Sequence, residues 1–418
     1  MQGKGGAEEA RGSVENLELK TIAPGDPQRF KEDRWQPVFA RLRAEDPVHF
    51  TEDSPWGPYW SVTRFDDILK VDKDFKTFSS QLGGITIGDQ DPEMTVTNFI
   101  RSDPPTHGPM RHTVAPVVAP KNLSELEHLI RQRACRILDS LPVGESFDWV
   151  EQVSVELTTQ MLATLFNFPF EERYRLTRWS EIAMASPAVG NTTITAEQRR
   201  ASQLECLDVF TSMIEKRRKQ PLGESLDFVT MLAHGKMSQN MDPMTILGTV
   251  QLLIIGGNDT TRNSISGGVL ALNRNPAQYA KLTADPGLIP SFVSEVIRWQ
   301  TPLAHMRRTA TKDAELGGET IRKGDKVVMW YCSGNRDESA IERADEFVID
   351  RANPRHHLSF GFGIHRCMGN RLAEMQLRIL WEEILTRFSH VEVVGPEERP
   401  LSNFIRGITK LPVVLHRH

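Results

Sequence analysis

The sequence predicts a mainly α-helical fold with small β-sheets, built as one large domain. Three observations point to it. Apolar residues recur with helical periodicity from Leu123 to about Leu232. A second apolar segment runs from Asp242 to about Asn275, with Asp242 as N-cap, Pro243 at the first helical position and Pro276 as the stop. No repeat, low-complexity linker or shift of composition divides the 418 residues.

The elements follow in chain order. Residues 1–27 read as a flexible polar tail and 28–418 as the domain. "PVHFTEDSPWGPYWSVTRFDDILKVDKDF" alternates in short aromatic runs, which fit two strands and then a helix. "SSQLGGITIGDQDPEMTVTNFIRSDPPTHG" reads as a long functional loop. The helix from Asp242 would be roughly 50 Å long at 1.5 Å per residue, enough to traverse the molecule. Strands return in "HMRRTATKDAELGGETIRKGDKVVMWY", a helix is expected from about Asn370 to Phe388, and "NFIRGITKLPVVLHRH" reads as a closing hairpin.

Composition removes several function classes. Charged residues are 25% and hydrophobic ones 39%, with a net charge of −5, so no broad basic face awaits nucleic acid. Cys135, Cys206, Cys332 and Cys367 are too scattered for a zinc site and too few for a disulfide framework. The first 25 residues hold no apolar signal segment, and no run of about 20 apolar residues exists. A cytoplasmic, non-membrane protein, monomeric, is the expectation. The sequons at Asn122, Asn191 and Asn258 are then chance matches.

Cys367 stands apart from the other cysteines. It sits in "HHLSFGFGIHRCMGNRLAEMQL", among Gly361, Gly363 and Gly369 and just before a helix. Glycines let backbone approach a flat partner, and a helix N-terminus stabilises a thiolate. Such a thiolate is a strong axial ligand for haem iron and favours O–O cleavage. "GFGIHR" lacks the third glycine of a dinucleotide fingerprint, and "HRC" is not C-x-x-C-H, so covalent haem attachment is rejected. A structural buried cysteine is the competing reading. His356 and His357 read as surface or loop histidines.

"FGFGIHRCMG" resembles the F-x-x-G-x-H-x-C-x-G signature of the cytochrome P450 superfamily. "SEVIRW" adds its E-x-x-R pair, "DPPTHGPMR" its propionate-contacting segment and "GGNDTTRN" its oxygen-activating helix. The resemblance implies haem b held by Cys367 between that loop and the long central helix, with O2 as co-substrate. Phe360, Gly369, Gly256 and Gly257 would border the haem. His107, Arg111, Arg308 and His365 would hold its propionates, with the register open between Arg308 and Arg307. Thr260 would supply a hydrogen bond for O–O cleavage and Asp259 would relay protons, while Thr261 bonds back to its own helix. A locally opened helix ladder at the glycine pair would make an oxygen notch. Glu295, Arg298 and Arg351 would form a structural ion cluster.

More closely, the chain resembles soluble bacterial alkane and fatty-acid terminal hydroxylases. That implies insertion of one oxygen atom into the terminal C–H bond of a medium-length chain. The expected pocket lining is Ile85, Ile87, Leu253, Leu303, Ala304, Met306, Phe404 and Ile405. No flavin or iron–sulfur domain follows His418, so a ferredoxin and its reductase are the expected electron donors. Arg131, Arg133, Arg136, Arg366, Arg371 and Arg378 are candidates for their docking. Competing readings are a P450 hydroxylase of a cyclic terpene or steroid-like substrate, an O2-independent rearranging enzyme, and a non-catalytic haem-thiolate sensor or carrier. Asp259–Thr260 weighs against the rearranging enzyme, and the lack of an output domain weighs against the sensor.

Overall fold

The computed structural model describes Val14 and residues 17–89, 95–223 and 226–418. The central helix, Pro243–Arg274, organises the fold. Asp242 caps it, its carboxylate accepting from the N–H groups of Met244 and Thr245 at 2.9 and 3.0 Å. Asn275 closes it ahead of Pro276. Its 32 residues span about 48 Å. The helices Glu156–Phe166, Tyr174–Met184, Ala196–Arg218, Ile289–Gln300 and Asn370–Arg387 pack against it. Buried all round, the helix reads as apolar rather than striped. Gly267 permits one of these contacts: a Cβ there would lie 2.5 Å from Gln300 Oε1.

Among the described residues there are ten short strands: β1 (Val48–Thr51), β2 (Tyr59–Val62), β3 (Phe78–Ser79), β4 (Ser146–Asp148), β5 (Met306–Ala310), β6 (Ala314–Leu316), β7 (Glu319–Ile321), β8 (Lys326–Met329), β9 (Phe388–Val393) and β10 (Pro412–Arg417). They form sheets ordered β1-β2-β8-β5-β3, β4-β10-β9 and β6-β7. Among these strands only β2 and β8 pair in parallel. No helix among the described residues is long and apolar enough to cross a membrane.

Two expectations change. The C-terminal segment is not a hairpin: β10 is one strand, paired with β9 and β4. Residues 403–411 instead cross over to the cavity, where Ile405 bridges Leu303. The tail also ends earlier than Pro27. Val14 and Ile22 are buried with Val38 and Leu42, and Arg41 donates to the carbonyls of Val14 and Leu17. Residues 1–13, 15 and 16 lie outside the described residues.

Two buried polar clusters hold the layers together. Arg298 meets Glu295 through two nitrogens, at 2.7 and 2.8 Å, and donates to the carbonyls of Asn335, Ala344 and Glu346. Arg351 reaches Glu295 at 2.9 Å, and the Val348 N–H donates to the same carboxylate. Every charge there is paired, which is what burial demands. His305 is the second cluster. Its Nε2 accepts from Ile87 N–H at 3.2 Å and its Nδ1 donates to Asn403 O at 2.9 Å. The fully buried ring is thereby fixed as the neutral Nδ1–H tautomer, and burial drives its pKa down to about 3.

Glu295→Gln should cost about 3–5 kcal/mol, because it leaves Arg298 buried without its counter-charge; urea unfolding of the purified protein measures it. The pH dependence has a definite sign. Between about pH 6.5 and 3 the unfolded chain protonates His305 while the folded one refuses the proton. Stability therefore falls on acidification, by up to about 1.4 kcal/mol per pH unit from this group. His305→Asn should show a shallower slope than the parent across pH 6.5–4.5 in the same assay.

Candidate active site

A cavity of about 610 Å³ opens between the central helix and the Cys367 loop. The loop is shaped by Gly361 and Gly363, at φ +63° and +65°. A Cβ at Gly363 would sit 2.7 Å from the Asp72 carbonyl, so the position has room for glycine alone. The Cys367 N–H closes the turn on Phe360 O at 2.8 Å. Cys367 keeps accessible surface, and that surface faces the cavity. Burial raises its thiol pKa; the amides of Gly369 and Asn370 at the helix start, with Arg111 and Arg366, pull the other way. The arrangement suits a thiolate once a cation takes its charge.

The central helix divides its polar residues between two faces. Gly256, Thr260 and Thr261 border the cavity, and a Cβ at Gly256 would touch nothing within 4 Å. Gly257 also borders the cavity, but a Cβ there would lie 2.9 Å from Leu162 Cδ2, so it serves helix packing as well. Asn258 is pinned by Thr158 at 2.9 Å. Asp259 is buried away from the cavity, accepting from Ser180 Oγ and lying 2.8 Å from Arg262. Arg262 continues to the half-exposed Glu181 at 2.8 Å. Burial raises the Asp259 carboxyl pKa, with Arg262 opposing it.

The expected open notch takes another form. The helix runs unbroken through 256–261, and the Gly256 carbonyl accepts Thr260 Oγ1 at 2.9 Å. The backward bond expected of Thr261 is thus made by Thr260. The missing Cβ of Gly256, rather than a broken ladder, makes the room.

The residues around the cavity fit haem. His107 Nε2 and His365 Nδ1 are buried with no partner, and the two rings stand 4.8 Å apart. Burial drives the His365 pKa down to about 2, helped by Arg308, His107 and Arg111. A neutral ring with a free nitrogen amid that positive potential matches a propionate. Arg111 sits beside Cys367 and donates to Arg366 O at 2.6 Å. Arg308 is the cavity-facing arginine, whereas Arg307 turns to Asp89 at 2.6 Å. Arg308 is already paired with Asp72 at 2.8 Å. Asp72 also accepts from Phe362 N–H at 2.7 Å and the Tyr331 hydroxyl at 3.1 Å, tying β5 to the cysteine loop. Sequence reasoning missed Asp72, which looks like any charge on a short amphipathic helix.

Of the expected pocket residues, Ile85, Leu253, Leu303, Met306, Phe404 and Ile405 border the cavity. Ile87 and Ala304 do not; both are fully buried against Tyr59 and Trp330. His357 is buried rather than exposed, with a pKa driven down to about 3 by burial and Arg298. The docking arginines thin out. Arg131 pairs with Glu382 and Glu383, Arg378 with Glu127 and Glu382, and Arg133 stacks over Phe170. Arg136, Arg366 and Arg371 stay exposed.

The cytochrome P450 family profile matches residues 287–413. The chain is 37% identical to linalool 8-monooxygenase of Pseudomonas putida, over 90% of this chain and 95% of that protein. It is 33% identical to a methyl-branched lipid omega-hydroxylase of Mycobacterium tuberculosis, over 90% of each. The solved structure of CYP153D17 from Sphingomonas sp. PAMC 26605 superposes with a TM-score of 0.89 at 46% identity, over 94% of this chain and 98% of that one. Similarity running nearly end to end, around a cysteine turned into a haem-sized cavity, makes this chain a member of the cytochrome P450 family and a monooxygenase.

Proposed function

We propose that this P450 hydroxylates the terminal carbon of medium-length alkanes or fatty acids, using haem b, O2 and electrons delivered by a ferredoxin and its reductase. The observation that carries the reading is the cavity wall: Ile85, Leu253, Leu303, Met306, Phe404 and Ile405 line it with aliphatic and aromatic surface. Such a wall suits an alkyl chain. Terminal selectivity is then a positioning effect, with the methyl end held nearest the iron side. The relatives named for a lipid omega-hydroxylase and for linalool oxidation frame the choice, the second favouring a terpene as the alternative substrate.

When bound, haem held by Cys367 supplies O2 reduction and transfer of one oxygen atom into a C–H bond. The chain's own residues supply geometry and protons. Arg111, His107, Arg308 and His365 would hold the propionates. Gly256 leaves space beside the helix. Thr260 Oγ1 now spends its proton on the Gly256 carbonyl, and a χ1 rotation turns that proton into the cavity. Asp259 stands one residue away, linked through Arg262 to Glu181 at the surface; leaving Arg262 and Ser180 would free its carboxyl to pass protons to Thr260. Arg366 and Arg371, exposed beside Cys367, form a small basic contact for an acidic ferredoxin.

Thr260→Ala should lower product formation about tenfold or more while NADH consumption continues and peroxide release rises; unchanged coupling rules out the role given to Thr260. Incubation with ferredoxin, reductase and a panel of alkanes, fatty acids, terpenes and steroids tests the substrate. Terminal alcohols from straight chains are expected, and preferred turnover of a ring compound sinks the terminal-hydroxylase reading.

A further inference from the structure

The cavity wall is apolar with a few cations, and all but one of these have something to do. Arg308 holds Asp72. Arg111 bonds the Arg366 carbonyl beside Cys367. Arg199 caps the carbonyls of Ala185 and Ile194, at 3.3 and 2.6 Å. Arg101 also borders the cavity, and among the described residues its guanidinium has no hydrogen-bond or carboxylate partner. Its Nη1 is buried outright. Burial pulls its pKa down to about 10, and no neighbouring charge contributes. A guanidinium nitrogen kept out of bulk water without a partner is unfavourable, and nothing among the described residues offsets it.

The cations that would bind the propionates do not act on Arg101. His365 feels Arg308, His107 and Arg111 together, so those four form one cluster. Arg101 feels none of them. Its turn is held between two elements: Phe99 lies under the Arg111 guanidinium, while Asn98 accepts from Arg101 N–H at 3.2 Å and donates to Gly248 O, early in the central helix, at 3.1 Å. Gly248 precedes Gly256 by eight residues, about 12 Å along the helix axis. Both glycines border the cavity, so the turn that carries Arg101 is anchored at one end of the stretch of helix wall that Gly256 ends.

We infer that Arg101 is the head-group site for an anionic substrate, a medium-length chain ending in a carboxylate whose methyl end points toward Cys367. The inference deepens the terminal-hydroxylase reading and rests on it. Arginine suits the task because its planar fork engages a carboxylate bidentately. Bound substrate would supply the counter-charge that the fold omits. Of the two substrate families proposed above, fatty acids would therefore bind better than alkanes.

Spectral titration of the haem-loaded protein with dodecanoate and with dodecan-1-ol at pH 7.5 tests this. The parent should bind dodecanoate at least tenfold more tightly than the alcohol. Equal affinity of the parent for the two ligands overturns the inference without any variant. Arg101→Leu should abolish the difference, weakening dodecanoate about tenfold while moving the alcohol less than twofold. Arg101→Lys should restore part of it. Haem content and the ferrous–carbon monoxide band should be unchanged, and Arg101→Leu should melt no lower than the parent without substrate, since it removes an unpaired buried cation. Loss of haem with the acid–alcohol ratio intact would instead make Arg101 a propionate holder and overturn the substrate role. Product analysis separates the two readings. Terminal products with no dependence on residue 101 defeat this inference alone. Acid selectivity with oxidation away from the terminus defeats the terminal-hydroxylase reading alone.

Discussion

One constraint governs the molecule: a cysteine sulfur must stand at the edge of a buried cavity in a form that burial opposes. Desolvation raises the Cys367 thiol pKa, and the surroundings answer with helix-start amides from Gly369 and Asn370 and with two arginines. None of this works unless the loop is rigid. Its backbone turns through positive φ at Gly361 and Gly363, then is held by Asp72 through the Phe362 N–H. Asp72 in turn anchors Arg308 and Tyr331. Behind this stands the Glu295–Arg298–Arg351 cluster, whose hydrogen bonds reach the backbone from Asn335 to Val348. Burying so many charges is tolerable because each is matched.

The central helix answers the same constraint from the other wall. A helix buried on all sides has no solvent face on which to park polar residues, so every one must be assigned. Thr158 donates to the Asn258 carbonyl oxygen, leaving the buried Nδ2 without a partner among the described residues, Ser180 and Arg262 hold Asp259, and the helix's own Gly256 carbonyl accepts from Thr260. Adjacent glycines differ in purpose: one leaves space in the cavity, the other also yields to Leu162. The local weakening that two glycines bring is compensated by packing on several helices. Acid and alcohol face different environments although they are neighbours in sequence: Asp259 is buried against Ser180 and Arg262, whereas Thr260 borders the cavity.

The sites where sequence reasoning and structure part company share one feature. Ala304 looks like Leu303, but alternation along an extended segment sends it to the opposite face; Ile87 lies two residues from Ile85 on a bend that turns it toward Tyr59 and Trp330 instead of the cavity. Arg131 and Arg378 look like free surface cations until carboxylates on neighbouring elements claim them. β10 looked like half of a hairpin because its true partners, β4 and β9, are distant or separately read segments. Asp72 and Arg101 gave no sequence signal at all, since partnership, or the lack of it, is a property of three-dimensional neighbourhood.

What the sequence determined by itself was local or periodic. The long helix with its aspartate cap and proline stop, the glycine-shaped cysteine loop and the i, i+3 acid–base pair follow from bond geometry over a few residues. Four spaced motifs also sufficed to mark the family. Only the tertiary structure decided which way Asp259 faces, which of two adjacent arginines enters the cavity, which apolar residues line it, and which cation is left without a partner. These depend on contacts between segments far apart in the chain, whose energies come from burial and charge pairing that no single segment encodes.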